Sequence, residues 1–496
     1  VNSEEDGLNS RAVSPTKELV SRIEEVVGPN HCISDPAGLR TYECDGLTSF
    51  RVSPGLVVLP GSTEEVAEVV RLAREANLPI VPRGSGTGLS GGALPVEGGI
   101  VIALSRMKRI LEIDLENRWM RLEPGVFNLD VSRAVSDAGY YYAPDPSSQS
   151  VCSIGGNVAE NSGGAHCLKY GFTVNHVLGA RLVLSDGRIV DLGGPVADSP
   201  GFDLIGVVVG SEGMLGIVTE VVVRLLRKPQ ATRTFFATFP STDEAGHAVS
   251  AIIASGIVPA AIEMMDRLAI VAAKAATGVE WPEVGAALLM DVDGPAAEVE
   301  HTAENAIALA REAGAYEVRR PRDDEERALM WKGRKSAFAA VGRISPNYFV
   351  QDGVIPRSEI AKVLREIDDR AAEAGLRVAN VFHAGDGNLH PLVLYDARIP
   401  GQESKAEELG GEILKMCVRY GGSITGEHGV GADKAAYMGV MFGEADLETM
   451  SLVRCAFDPE SRLNPGKVFP TPRLCGDRPG PYRAHPVEVA GEAERW

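Results

Sequence analysis

Apolar residues recur at helical spacing along residues 15–27, with Leu19, Ile23, Val26 and Val27 on one face. The apolar run 56–59 reads as a buried strand. Ser62 and Glu65 have the spacing of a capping box, and Val66, Val69, Val70 and Ala73 follow on one helical face. Residues 79–81 return as a strand, completing a strand–helix–strand unit. Strands are expected at 100–104, 110–114 and 119–123 and a helix over 128–138. Two more strands, 180–184 and 188–192, flank the turn Ser185-Asp186-Gly187. Residues 207–226 read as strand, tight turn and strand.

The pattern changes near residue 230. Strands at 233–239, 260–265, 286–292 and 315–319 alternate with helices at 242–255 and 295–313. A helix at 322–340, a strand at 347–352 and a helix at 358–374 continue the series. An apolar hairpin about 377–395 and a helix at 404–420 follow, and 433–464 reads as helical. Strands interleaved with amphipathic helices predict an α+β unit with helices on one sheet face. The Pro-, Gly- and charge-rich tail belongs on the surface.

A chain of 496 residues is long enough for two or three domains. Its net charge of −19 excludes a phosphate-backbone binder of nucleic acid, and an anionic substrate would need local arginines. The seven cysteines form no C-x-x-C pair, so the chain carries no iron–sulfur cluster or zinc ribbon of its own. Their scatter suits reduced thiols in a cytoplasmic protein. No apolar run approaches ~18 residues, which predicts no membrane span. The polar opening VNSEEDGLNS is not a signal peptide.

The stretch PRGSGTGLSGG at 82–92 contains a formal G-x-G-x-x-G match. A Rossmann turn needs a crossover helix next, whose N-terminus receives the pyrophosphate. Here the residues up to 99 include a proline and further glycines, and the next strand begins at once. The glycines suit instead a nest of converging backbone N–H groups, with hydroxyls from Ser85, Thr87 and Ser90. Gly155-Gly156-Asn157 with Asn161, and Gly210-Ser211-Glu212-Gly213 with Gly216, repeat that composition. Three such segments in one half imply a long dinucleotide lying along the backbone.

His383 and His390 flank a Gly-Asp-Gly-Asn turn between two apolar runs. As a hairpin, this places the two rings opposite each other across the base of a short loop, close enough to share a metal ion. Glu427-His428 adds a further carboxylate and imidazole in a glycine-flanked loop.

PRGSGTGLSGGALP, PDPSSQ, GGNVAEN, GSEGMLGIVTE and LNPGK together resemble the FAD-linked oxidases of the vanillyl-alcohol-oxidase type. YECDGL, NVAENSGGAHCLKYG, VANVFHAGDGNLHPL and GGSITGEHGVG are similar to its D-2-hydroxyacid dehydrogenase group, which holds the D subunits of bacterial glycolate oxidases. The resemblance implies an α+β fold: a split FAD-binding domain with an inserted α+β substrate domain built on a ferredoxin-like sheet. The corresponding divisions are 1–229, 230–431, a returning segment 432–472 and a surface tail 473–496.

The resemblance also implies site roles. Pro82, Arg83, Gly84, Ser85, Gly86, Thr87, Gly88, Leu89 and Ser90 would wrap the pyrophosphate. Pro144, Asp145, Ser148, Gly155, Gly156, Asn157 and Asn161 would lie along the flavin. Glu212, Gly213, Ile217 and Val218 would reach the adenosine and ribose, and Asn464 the isoalloxazine. With no histidine in the first loop, FAD is expected to bind noncovalently. His383, His390 and Glu427 would hold a divalent metal, for which this ligand set suits Zn²⁺, with Mn²⁺ or Fe²⁺ as alternatives. His428 would be the base, and Arg334, with Arg343 as a second candidate, would bind the substrate carboxylate. The implied reaction is oxidation of glycolate or D-lactate to the 2-oxo acid, with hydride passing to flavin N5. The implied partners are an FAD-type companion and an iron–sulfur subunit feeding quinone, which would bring the chain to the inner face of a membrane. Two alternatives are a D-lactate or D-2-hydroxyglutarate dehydrogenase with another acceptor, and a non-catalytic flavin subunit. The last predicts loss of the histidine pair and of Glu427-His428, and both are intact.

Overall fold

The computed structural model describes residues 14–196 and 200–470; the polar N-terminus and the expected tail 473–496 lie outside them. Thr16 caps the helix Lys17–Val27 by accepting the Leu19 amide at 3.2 Å. Ser62 likewise caps Thr63–Glu75 through the Glu65 amide. The box is not reciprocal, because the Glu65 carboxylate takes the Gly61 amide at 2.7 Å. The apolar faces of both helices bury Leu19, Ile23, Val66 and Val70 against Leu56, Val58, Ile100 and Ile102. These belong to a four-stranded sheet ordered Cys32–Ile33, Leu56–Val58, Ile100–Ala103, Ile80–Arg83. Its last two strands are parallel, with Val81 opposite Val101. Residues 84–99 join them as loop, so the helix that a Rossmann turn requires is replaced by the glycine-rich segment.

A second, antiparallel sheet is ordered Ile110–Asp114, Trp119–Leu122, Ile217–Arg224, Val177–Val183, Ile189–Gly193. The short helix Ile154–Glu160 buries Ile154 and Val158 against its Val221 and Val223. Ahead of it, the first strand expected within 207–226 is instead a helical turn, Leu204–Val208. Asp203 caps that turn by accepting the Gly206 amide at 2.9 Å.

The third sheet has seven antiparallel strands in the order Glu317–Arg319, Ala231–Phe239, Ala286–Gly294, Ala261–Asp266, Arg377–His383, Pro391–Tyr395, Asn347–Val350. The expectation of helices on one face is corrected here. Phe235, Ala237, Met264 and Leu288 meet the helices Thr242–Ala254, Ala296–Glu312, Ile360–Ala374 and Gln402–Arg419. The alternate residues Phe236, Met265, Leu289 and Val381 meet Arg267–Thr277 and Asp324–Ala340 on the other side. Central strands covered on both faces are apolar at every position rather than at every second one. The helix Arg267–Thr277 is additional to the elements expected from the sequence pattern. It starts directly from its strand, with Asp266 as cap to the Ala269 amide at 2.8 Å.

The continuous helix expected over 433–464 is also corrected. Met438–Met441 ends at Phe442, whose backbone is extended, and Glu444–Phe457 begins anew after Gly443. The chain then leaves the helix and returns to the first sheet. Leu463 bridges Ile80, and the Asn464 amide donates to the Ile80 carbonyl at 2.7 Å. Five cysteines are free thiols, whereas Cys455 is disulfide-bonded, against the reduced state expected for all seven. Among the described residues no helix is long and apolar enough to cross a membrane.

Candidate active site

The three glycine-rich segments meet around one cavity of about 370 Å³. At Gly84 and Gly213 the contacts leave no room for a side chain. A Cβ on Gly84 would stand 2.4 Å from the Ser153 hydroxyl, and one on Gly213, where φ is +72°, would stand 2.5 Å from Pro82 Cγ. The Gly210 and Glu212 amides donate to the carbonyls of Val158 and Ala159, both at 2.8 Å. The segments are thus stitched together by backbone, which leaves their remaining N–H groups and hydroxyls as the polar lining.

Of the expected cofactor residues, Pro82 through Leu89, Ser148, Gly155, Gly156, Asn157, Glu212, Gly213, Ile217 and Val218 line the cavity. Ser90, Pro144, Asp145, Asn161 and Asn464 do not, and their bonds show why. Ser90 is fully buried and donates its hydroxyl to the His428 carbonyl at 2.9 Å. The Pro144 carbonyl accepts from Asn128 at 3.1 Å. Asp145 is held by His166, 3.0 Å away. Asn161 closes its helix in the left-handed conformation and accepts the Val174 amide at 2.9 Å. Asn464 donates to the carbonyls of Gly92 and Glu212 at 2.8 and 2.6 Å, clasping two glycine segments from behind. These five residues shape the walls rather than forming them.

His390, Glu427 and His428 line the same cavity. The hairpin register differs from expectation: His383 pairs with Asn388, and Asn380 with Pro391. The two histidines are therefore diagonal neighbours on one face, with ring centroids 5.1 Å apart. Glu427 Oε1 lies 3.3 Å from His383 Nε2 and 3.1 Å from His390 Nε2. Ligand atoms of all three residues fall within 4.8 Å of one another. Glu427 Oε2 and His390 Nδ1 are buried without hydrogen-bond partners among the described residues. Burial alone would raise the Glu427 pKa, but His383 and His390 hold it well below the usual carboxylate range. His383 is oriented from behind by Glu263, whose Oε1 is 2.7 Å from Nδ1. Orphaned buried atoms on a two-histidine, one-carboxylate set fit a divalent cation, and a carboxylate behind a ligating histidine is its usual support.

Sequence reasoning missed Glu263 and Asp352. Asp352 is fully buried and gathers the backbone amides of Gly426, Glu427 and His428 at 3.0, 3.2 and 2.9 Å, together with Lys434 at 3.3 Å. It thereby folds the loop that presents His428. The His428 ring stacks on His390 at 5.1 Å, and its Nδ1 lies 3.9 Å from Asp352. Burial lowers the His428 pKa to about 4; His390 and Lys434 add to this, while Asp352 and Glu427 oppose it. The imidazole is therefore neutral near pH 7. A charged residue inside an apolar strand, as in AIEMMD, was the available signal for Glu263.

Arg334, the expected carboxylate binder, lines the cavity with its charge already partnered. It is 3% exposed and ion-paired with Glu263. Its Nε has no hydrogen-bond partner among the described residues. Lys335 beside it also lines the cavity and is 37% exposed. Arg343 is elsewhere, on the surface, donating to the Ala275 carbonyl.

A cavity walled by glycine segments and by a cluster of histidines and a carboxylate is where the comparisons with known proteins bear. The chain belongs to the FAD-linked oxidases of the vanillyl-alcohol-oxidase type and is an FAD-dependent oxidoreductase. Residues 54–193 match the FAD binding domain, and 228–468 match the C-terminal domain of FAD linked oxidases. Within the family, the chain is 50% identical to the glycolate oxidase subunit GlcD of Escherichia coli (strain K12), over 94% of this chain and 93% of that one. It is 32% identical to a D-lactate dehydrogenase of Anaerostipes hadrus, over 91% and 97%. The fold matches that of p-cresol methylhydroxylase with a TM-score of 0.76, at 18% identity, covering 91% of this chain and 96% of that one.

The close approach at Gly213 makes a prediction. Gly213→Ala places a methyl group against Pro82 in a left-handed backbone that disfavours a side chain by about 1–2 kcal/mol. Flavin per chain after gel filtration, read by absorbance, should fall severalfold. Full occupancy would show that this contact relaxes freely.

Proposed function

We propose that the chain oxidises a small D-2-hydroxy acid, glycolate or D-lactate, to the 2-oxo acid, using noncovalent FAD and a divalent metal. The observation that carries this reading is that His390, Glu427 and His428 open onto the cavity whose other walls are the glycine segments. FAD supplies the hydride acceptor. His383, His390 and Glu427 would hold the metal, which makes a substrate hydroxyl more acidic. The ligand chemistry favours Zn²⁺, with Mn²⁺ or Fe²⁺ as alternatives. His428, neutral and fixed by Asp352, takes the hydroxyl proton as general base. Lys335 places positive charge at the cavity wall, where a carboxylate needs it, and Arg334 stands beside it with its charge paired to Glu263. Phe338 lies on the helix of Arg334, edge-on to His390 at 5.6 Å, and limits the room beside the metal set. That suits a substrate with little beyond its carboxylate and hydroxyl carbon.

The word "subunit" in the name of the Escherichia coli relative supports a chain that works in a complex. Electrons would leave through an iron–sulfur partner and an FAD-type companion toward quinone. D-lactate remains the second substrate reading, since one methyl group is worth only about 1–3 kcal/mol of discrimination. The test is anaerobic addition of glycolate, D-lactate, L-lactate and D-2-hydroxyglutarate to metal-supplied protein, followed by flavin absorbance. Glycolate or D-lactate should bleach the flavin and L-lactate should not. Failure of every D-2-hydroxy acid would overturn the reading.

A further inference from the structure

Of the arginines and lysines that line the cavity, Arg83 and Arg334 are already engaged. Arg83 is buried, lies over the Tyr42 ring at 5.6 Å and donates to the Ala93 carbonyl at 3.3 Å. Arg334 is closed off by Glu263, the carboxylate that also supports His383. Lys335 differs from both. It is exposed, and its ion pair to Asp145 Oδ2 spans 3.7 Å, longer than a hydrogen bond.

Two observations place this cation beside the metal set. On the helix Asp324–Ala340, Lys335, Phe338 and Ala339 stand at i, i+3 and i+4, and all three line the cavity. The Phe338 ring, one turn from Lys335, is edge-on to His390. Gly163 and Gly164 then pack against one carboxylate each. A Cβ on Gly163 would stand 2.8 Å from Glu427 Oε2, and one on Gly164 would stand 2.8 Å from Asp145 Oδ1. Glu427 and the Asp145–Lys335 pair thus flank a single dipeptide.

Asp145 comes from the half of the chain that matches the FAD binding domain, and it is braced there. Its Oδ1 accepts the His166 amide at 3.3 Å, and its Oδ2 lies 3.0 Å from His166 Nδ1. The His166 ring stacks on Trp331 at 6.0 Å, one turn before Lys335 on the same helix. The carboxylate therefore meets the lysine from a fixed position, at a distance that orients the ammonium without saturating it.

We propose that Lys335 binds the substrate carboxylate and that Asp145, braced by His166, is the positioning residue that holds the ammonium for it. Arg334 is left to hold Glu263 behind His383. The proposal rests on the 2-hydroxy-acid reading and names the group that recognises the acid end of the substrate. An ammonium offers a carboxylate three donors, and no bond is made or broken. A charge that meets the carboxylate equally before and during hydride transfer tightens binding and leaves the limiting rate alone.

The test is anaerobic stopped-flow reduction of the FAD-loaded, metal-supplied protein over a range of glycolate and D-lactate concentrations. Lys335→Met should raise the apparent dissociation constant of the reducing acid about 10–100-fold, the worth of a hydrogen bond to a charged group, and lower the limiting rate far less. Lys335→Arg should recover most of the affinity. Asp145→Asn should raise the constant less than Lys335→Met does. The double variant should bind no worse than Lys335→Met alone, because Asp145 acts through the lysine. An unchanged dissociation constant in Lys335→Met, beside a wild type that is reduced, overturns the proposal and leaves the 2-hydroxy-acid reading standing. Additive losses in the double variant overturn the role of Asp145. A wild type that no D-2-hydroxy acid reduces overturns the reading, and the proposal with it.

Discussion

His428→Ala is expected to keep FAD bound and to lose about 10²–10⁴-fold in the rate of flavin reduction, the usual worth of a general base. At about 1.4 kcal/mol per tenfold, this removes roughly 3–6 kcal/mol of transition-state stabilisation. Retention of FAD is expected because the loop backbone is held by Asp352 and Ser90 independently of the ring. The pH profile is the sharper check. Burial depresses the pKa of His428 to about 4, so the proton-accepting form prevails above that value and is lost only as pH falls through it. The reductive rate should therefore stay level from pH 8 to about 5 and decline below. An acid limb near pH 6.5, or normal reduction by His428→Ala, would remove His428 from this role.

Glu427→Gln is the second large effect. The substitution replaces the carboxylate between the two imidazoles by a neutral amide, which removes the charge facing His390 and leaves His383 with Glu263 alone. The purified variant should hold less than a tenth of the wild-type metal by elemental analysis. Its flavin reduction should fall at least ~10³-fold, in keeping with the several kcal/mol that a Lewis acid contributes. Glu263→Gln, acting only through His383, should weaken metal affinity about 10–100-fold while leaving the ligands in place. Stoichiometric metal in Glu427→Gln would refute the ligand assignment.

The residues legible in the sequence were those whose type is dictated locally. Glycines that admit close backbone contact stand out by composition, and helix faces by period. His383, His390 and Glu427-His428 stood out because such side chains are rare between apolar runs. What remained hidden depends on pairing across the fold. Asp352 precedes His428 by many residues and acts on it through backbone amides, which no spacing announces. The pairing of Arg334 with Glu263 appears only once the strand carrying Glu263 is placed beside its helix. Ser90 and Asn464 look like ligand donors because their side chains suit that use, yet neighbouring carbonyls claim them first. The diagonal register of the histidines follows from a turn geometry that two apolar runs leave undetermined.

The Ser90 contact has a consequence for stability. Its hydroxyl holds the His428 carbonyl, and its own carbonyl accepts the Ala432 and Asp433 amides at 3.0 Å. The dinucleotide loop and the loop of the base therefore form one cooperative clasp rather than two independent parts. A ligand that binds only the closed clasp stabilises it by mass action, by about 4 kcal/mol at a thousandfold excess over its dissociation constant. Cofactor saturation is therefore expected to stabilise the loop that carries His428, so protease resistance of residues 423–434 should rise with FAD occupancy.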